Sequence, residues 1–319
     1  MNAWRTLILV ASLSGSMLSM TGTAADNPPI TDVAFSPDGR FLVCVGQMGI
    51  VSRRWPDLET VAEIQVPLDN LHCVAFSPNG DHLAVGGGNP ADFGAVVTLR
   101  WSDGLLEETF VHQYRQFDDS VVDVQWTSNE SWLAASIDRT VRHVDLNQSD
   151  VTVMQGHSRA VTAVEAFAQS QWILSGGDDQ RLRLWDSTDF RTVRTLKQHT
   201  GSIVDISTAP SNDGLPVVAS ASEDRTIRLW QPTIGRLIRF CRLPQQPLKI
   251  AWSPDSRTIL AACRDGNVRW IDVPSVQVVH TRQAIDGWAY AIAIHPSEPS
   301  FVVAGSGGQI RPLPLNHTN

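Results

Sequence analysis

The chain has 319 residues, 42% hydrophobic and 18% charged, enough for one large domain and in keeping with a soluble globular fold. A formal net charge of −8 speaks against a nucleic-acid partner, because phosphate binding needs clustered Lys and Arg, and it favours basic or neutral partners instead. No low-complexity tract interrupts the chain.

Residues 1–25 differ in kind from everything after them. Arg5 precedes an apolar run centred on residues 7–13, and Thr23, Ala24 and Ala25 stand before Asp26. That is the order of a Sec-type signal peptide, with a positive start, an apolar middle and small residues at the cleavage site. A first strand over residues 6–12 is the competing reading. The expectation is a signal peptide over 1–25 and a folded domain over 26–319, exported to the periplasm or secreted. No Cys stands at the cleavage site to carry a lipid anchor. No other apolar run approaches the ~20 residues that span a bilayer, so no membrane span is expected. Cys44, Cys73, Cys241 and Cys263 fall inside predicted strands, allow three pairings, and are read as buried thiols.

The remainder repeats. Unit 1 opens with ITDVAFSPDG (30–39), an inner strand followed by a turn, and continues through FLVCVG and GIVSRRW to Trp55. Unit 2 follows as LHCVAFSPNG (71–80), HLAVGG and AVVTLRW, with an insertion, GGGNPADFG (86–94), read as a Gly- and Pro-rich surface loop carrying Asp92 and Phe93. Unit 3 has VVDVQW, WLAAS and TVRHVD after an opening turn that contains Phe117, Asp118 and Asp119.

Units 4 and 5 are the fullest copies. Each opens on a His (His157, His199), passes through SGGDD or SASED, and ends in RLRLWD or TIRLWQ. Here the chain resembles the WD40-repeat family, whose repeats begin near Gly-His and end near Trp-Asp. The resemblance implies an all-β, seven-bladed WD40-type β-propeller. Two more units complete the ring: LKIAWSPDS, TILAAC and NVRWID, then WAYAIAIHP, FVVAG and QIRPLPL. The repeat averages about forty-two residues, the spacing of four-stranded blades. A mature chain starting at Asp26 would begin only four residues before the first inner strand, so the last blade is expected to hold three strands. Pro312 and Pro314 would guard its edge, with their missing N–H groups on one side.

Units 4 and 5 hold His157, Ser175, Asp179 and Trp185, and His199, Ser220, Asp224 and Trp230, at matching offsets. As residue types these suggest a hydrolase triad, but the set recurs and includes a Trp that no triad needs. The resemblance implies a buried hydrogen-bond chain running Asp, His, Ser, Trp, so catalytic residues are not expected. Blade 3 keeps Asp138 but has Phe117, Ala134 and Val144 at the other places, and blade 6 keeps Asp265. These two aspartates are expected to cap their own turns, with Asp138→Ala costing much less than Asp179→Ala.

No HExxH, His/Cys cluster, P-loop or GxGxxG opening a helix is present, so neither metal nor cofactor is expected. Asp32, Asp123 and Asp205 match on three inner strands, and on fold analogy they keep open a lactonase-like exported propeller hydrolase. The family resemblance places the turns into the inner strands and those between second and third strands on one face. That face would gather Trp288, Tyr290, Phe93, Asp92, Asp118, Asp119 and Arg159, the candidate partner-binding residues. The expected function is a non-catalytic protein-binding scaffold, monomeric and exported. A basic cytochrome-c-like protein is one candidate partner, and a cytoplasmic scaffold is the alternative if residues 1–25 are retained.

Overall fold

The computed structural model describes residues 27–147, 150–167, 171–210 and 214–316, so the signal peptide expected over residues 1–25 lies outside them. Seven antiparallel sheets follow one another in chain order as blades 1 to 7, over residues 30–64, 71–117, 121–155, 161–196, 203–242, 247–283 and 289–314. Blades 1 to 6 have four strands each. Among the described residues blade 7 has three, Ala289–Ile294, Ser300–Gly305 and Ile310–Pro314.

Each blade's second strand is almost wholly buried, as FLVCVG in blade 1 and TILAAC in blade 6 illustrate, because both of its faces meet neighbouring blades. Such strands read as continuous apolar runs, where a half-exposed strand would alternate. The core is therefore a ring of inter-blade seams. Leu83, Val85, Val97 and Leu99 of blade 2 pack with Val43, Val45 and Ile50 of blade 1 in one such cluster.

Every inner strand is bulged at its second residue, as between Ile30 and Asp32 or between Ala289 and Ala291. A bulge adds local twist and re-aims side chains. Here it frees Thr31 and Thr162 to reach the next blade. The Thr31 hydroxyl lies 2.7 Å from the Leu71 carbonyl, and the Thr162 hydroxyl donates to the carbonyl of Ile203.

Blade 7 meets blade 1 through side chains. Val33, Leu42 and Cys44 pack against Ala291, Val302 and Ala304. His295 Nε2 lies 2.9 Å from the Gly39 carbonyl, and Trp55 Nε1–H donates to Glu298 at 2.9 Å. The outer strand of blade 7 pairs Phe301 with Leu313, and the Leu315 N–H reaches the Pro299 carbonyl at 2.8 Å. Antiparallel alternation then turns the nitrogens of Pro312 and Pro314 away from the sheet.

The insertion in blade 2 departs from the expected loop. Its glycines extend two paired strands, His82–Asn89 and Phe93–Ser102, leaving a tight turn at Pro90–Asp92. A Cβ on Gly94 would stand 2.1 Å from the Asp119 carbonyl, so glycine lets the extended hairpin lie against the opening turn of blade 3. The four cysteines are buried free thiols, as read from the sequence.

Candidate functional site

The recurring polar residues of blades 4 and 5 form two complete chains. His157 Nδ1 lies 2.9 Å from Asp179 Oδ1, its Nε2 lies 2.8 Å from Ser175 Oγ, and Trp185 Nε1–H donates to the same Oγ at 2.8 Å. In blade 5 the distances are 2.8 Å from His199 to Asp224, 2.7 Å to Ser220 and 2.8 Å from Trp230 to Ser220. With Nδ1–H directed at the carboxylate, Nε2 accepts from the serine hydroxyl, and that oxygen in turn accepts from the indole. Ser175 and Ser220 are fully buried, and both ends of each hydroxyl are engaged. No surface remains on them for a substrate.

Burial alone would raise the Asp179 and Asp224 carboxyls. Hydrogen bonds from the histidines and neighbouring backbone N–H groups outweigh it and hold both below the usual range. Burial pushes the His199 imidazole down, only partly offset by its bond to Asp224.

Blades 3 and 6 hold their aspartates differently from the expected turn cap. Asp138 does accept from its own turn, at Thr140 N–H (2.9 Å), but it also pairs with Arg142 at 3.1 Å. Arg142 is nearly buried, stacks 4.5 Å over Phe117 and donates to the Gln116 carbonyl at 2.6 Å. Asp265 takes Arg269 in a two-pronged pair, at 2.9 and 2.5 Å. An Arg stands four residues after the Asp in all four blades, at Arg142, Arg183, Arg228 and Arg269, so that spacing alone does not separate the two arrangements.

The three matching inner-strand aspartates also do local work. Asp32, Asp123 and Asp205 each accept the backbone N–H of the next blade's inner strand, from Val74 (3.0 Å), Val164 (2.8 Å) and Ile250 (2.7 Å). Glu165 does the same for Thr208 at 2.9 Å and accepts from the Gln125 amide at 3.0 Å. Lys249 occupies the matching position in blade 6, with its ammonium 3.4 Å from Asp205. These groups line a central channel of about 230 Å³. Burial there pushes Asp123 and Glu165 up to about 7 and also raises Asp32 and Asp205. Burial works against the Lys249 ammonium, but Asp205, Asp32 and Asp123 outweigh it and raise its pKa. Among the described residues no three His, Cys, Asp or Glu side chains converge as a metal site would require.

The rim residues fall into separate groups. Trp288 remains 38% exposed, lies 5.7 Å from the Tyr290 ring, and carries the Arg264 guanidinium 4.0 Å over its face. Its backbone is fixed by exchange with Ser306, which accepts from Trp288 N–H at 2.9 Å and donates its own N–H back at 3.0 Å. Arg264 is also held by Gln246 at 2.8 Å, a neighbour that no local pattern singles out.

Phe93, half-buried, sits under Arg115 at 4.9 Å, beside exposed Asp92. Asp119 joins that group but is engaged, accepting from Ala91 N–H at 3.0 Å and Ser120 N–H at 2.7 Å. Asp118 donates its N–H to Asp138 and is exposed, as is Arg159 in the opening turn of blade 4. The structure thus brings Trp288 to Tyr290, and Asp92 and Phe93 to Asp119, with blade 1 between the two groups.

The family model for the WD domain, G-beta repeat, matches residues 15–48, 60–90, 108–145, 148–186, 190–231 and 245–272, more than half of the chain. Its first segment begins inside the stretch read as an export signal. Among similar proteins, p21-activated protein kinase-interacting protein 1-like of Danio rerio is 25% identical over 56% of this chain and 48% of its own length. Methylosome protein WDR77 of Xenopus laevis is 24% identical over 64% of both chains. WD repeat-containing protein srw1 of Schizosaccharomyces pombe is 22% identical over 79% of this chain and 44% of its own. The chain spans less than two thirds of the length of each of these relatives.

Proposed function

Because this chain belongs to the WD domain, G-beta repeat family, we propose that it is a non-catalytic scaffold that binds another protein on the rim carrying Trp288, Tyr290 and Arg264. The observation that carries this reading is Trp288 itself. A large indole stays 38% exposed although it is locked by backbone bonds and stacked under a guanidinium. Aromatic and Arg side chains held rigid at a rim are where interface energy concentrates. The engaged, buried serines of blades 4 and 5 support the non-catalytic part. A relative whose name describes it as an interacting protein supports the scaffold part.

The test is affinity capture with the full chain and with Trp288→Ala and Tyr290→Ala combined. The double variant should lose its specific partner while unfolding at an unchanged urea midpoint, with Phe93→Ala as the control in the separate group. Unchanged capture overturns the reading.

The order of charge, apolar run and small residues before Asp26 supports an exported scaffold. The family match from residue 15 favours a second reading, a cytoplasmic scaffold that keeps those residues. N-terminal sequencing separates them: a mature chain starting at Asp26 gives export, and an intact start at Met1 gives retention.

A further inference from the structure

A cavity of about 390 Å³ opens between blades 3 and 4 on the face opposite the His and Asp turns. Trp126, Phe167, Trp172 and Phe190 line it together with His143 and Gln125, and among the described residues no Asp, Glu, Lys or Arg does. That volume lies in the range of about 300–1,000 Å³ typical of ligand pockets.

Comparison of the blades explains why this seam is open. The sixth inner-strand residue fills the seam with the preceding blade. In blade 3 it is Trp126, whose Nε1–H donates to the Ala75 carbonyl of blade 2 at 3.0 Å. In blade 6 it is Trp252, donating to the Ser207 carbonyl of blade 5 at 2.9 Å. In blade 4 the same position is Ala166, and Gln125 of blade 3, matching Ala75 and Ser207, lines the cavity. The void therefore stands where blades 3 and 6 place an indole beside a backbone acceptor, blades 1 and 2 a phenyl ring (Phe35, Phe76), blade 7 Ile294 and blade 5 Thr208.

We infer that this cavity is a binding site for a neutral indole, or a ring system of like size with one N–H donor, supplied by a ligand in place of the side chain that blade 4 lacks. The shape left by a missing side chain is a sound guide to an occupant, since apolar cavities of only about 150 Å³ already take up benzene. The half-buried Ser187 hydroxyl at the cavity wall adds a polar contact for the ring's substituent. The site lies apart from the rim around Trp288 and does not depend on the scaffold reading.

The probe is N-acetyl-L-tryptophanamide, titrated into the full chain and followed by ligand-observed saturation-transfer NMR. Wild type should show saturable binding that free indole displaces. Ala166→Trp, which supplies the indole from within, should weaken binding at least about tenfold, the loss of a contact of about 1.4 kcal/mol. Should that variant fail to fold, Ser187→Phe, which blocks the cavity from the turn, should weaken the probe likewise. A pentapeptide with a central Trp binding more tightly than the free amide would assign the ring to a partner's segment, and equal binding would assign it to a small molecule. Absence of saturable binding to wild type, or equal binding to wild type and the folded blocking variants, overturns the inference.

Discussion

Blades 4 and 5 and blades 3 and 6 solve one problem in two ways. In all four an aspartate sits in the turn between second and third strands, and in each it needs a buried donor. Blades 4 and 5 use a histidine that passes the contact on to a serine and an indole. Blades 3 and 6 rely on the arginine four residues along without a histidine, and in blade 3 that arginine also donates to Gln116 and Tyr114. In blade 5 the matching Arg228 stands 3.6 Å from Asp224 beside the histidine. The family pattern marks the first solution, but the second holds the charge just as firmly. Losing three members of the chain did not leave the aspartate idle. Its partner changed.

The largest expected effect would break the symmetry between the two solutions. Removing Asp138 leaves the buried Arg142 guanidinium without its counter-charge, a situation that costs about 3–5 kcal/mol. Removing Asp179 strands a histidine that can stay neutral, at about 1–3 kcal/mol. Urea melts should therefore rank Asp138→Ala above Asp179→Ala, the reverse of what the fuller motif in blade 4 suggests. The opposite ranking would show that the Arg clamp is the weaker device.

Acid should separate the pairs next. His199 has its folded pKa pushed down by burial, so the stability it contributes is present above about 6.5 and is lost as pH falls through that lowered value. The Asp138–Arg142 pair has no titrating histidine. Amide exchange at pH 5 against pH 7 should show blade 5 losing protection relative to blade 3.

The channel runs the other way. Asp123 and Glu165 are raised to about 7, so their contribution is lost as pH rises through neutrality. Asp123→Asn with Glu165→Gln should flatten the fall in stability between about pH 4 and pH 7, from the unfolded to the folded values, and a slope unchanged from wild type would reassign it. The smallest effect belongs to Asp138→Leu combined with Arg142→Leu, because replacing both members of a buried pair with apolar groups is often near neutral. A loss as large as that of Asp138→Ala would mean the pair does more than satisfy itself.

The repeat was legible because its signals recur. The apolar second strands, the SPDG-type turns and the two complete His, Ser, Asp and Trp sets each appear more than once, and the ring follows from their spacing. The clamps were less legible because Arg142 and Arg269 look like ordinary strand arginines until burial is known. The Gly-rich insertion read as a loop because isolated glycines weaken strands, yet close approach to Asp119 is what makes them fit. The channel contacts join residues some forty positions apart, such as Asp205 and Ile250, across a seam that no local pattern announces. The rim divided for a similar reason: Asp119 turned out to be engaged with Ala91, while Trp288 stayed open.

Ring closure through Val33, His295, Trp55 and Glu298 means that, among the described residues, no strand serves two blades. Among the described residues each blade is then one uninterrupted run of chain. A duplication or deletion of such a run changes the array by a whole module, with no neighbour left holding half a sheet. Selection can thus edit one rim segment, such as the hairpin of blade 2, by exchanging its module while the others keep their grammar.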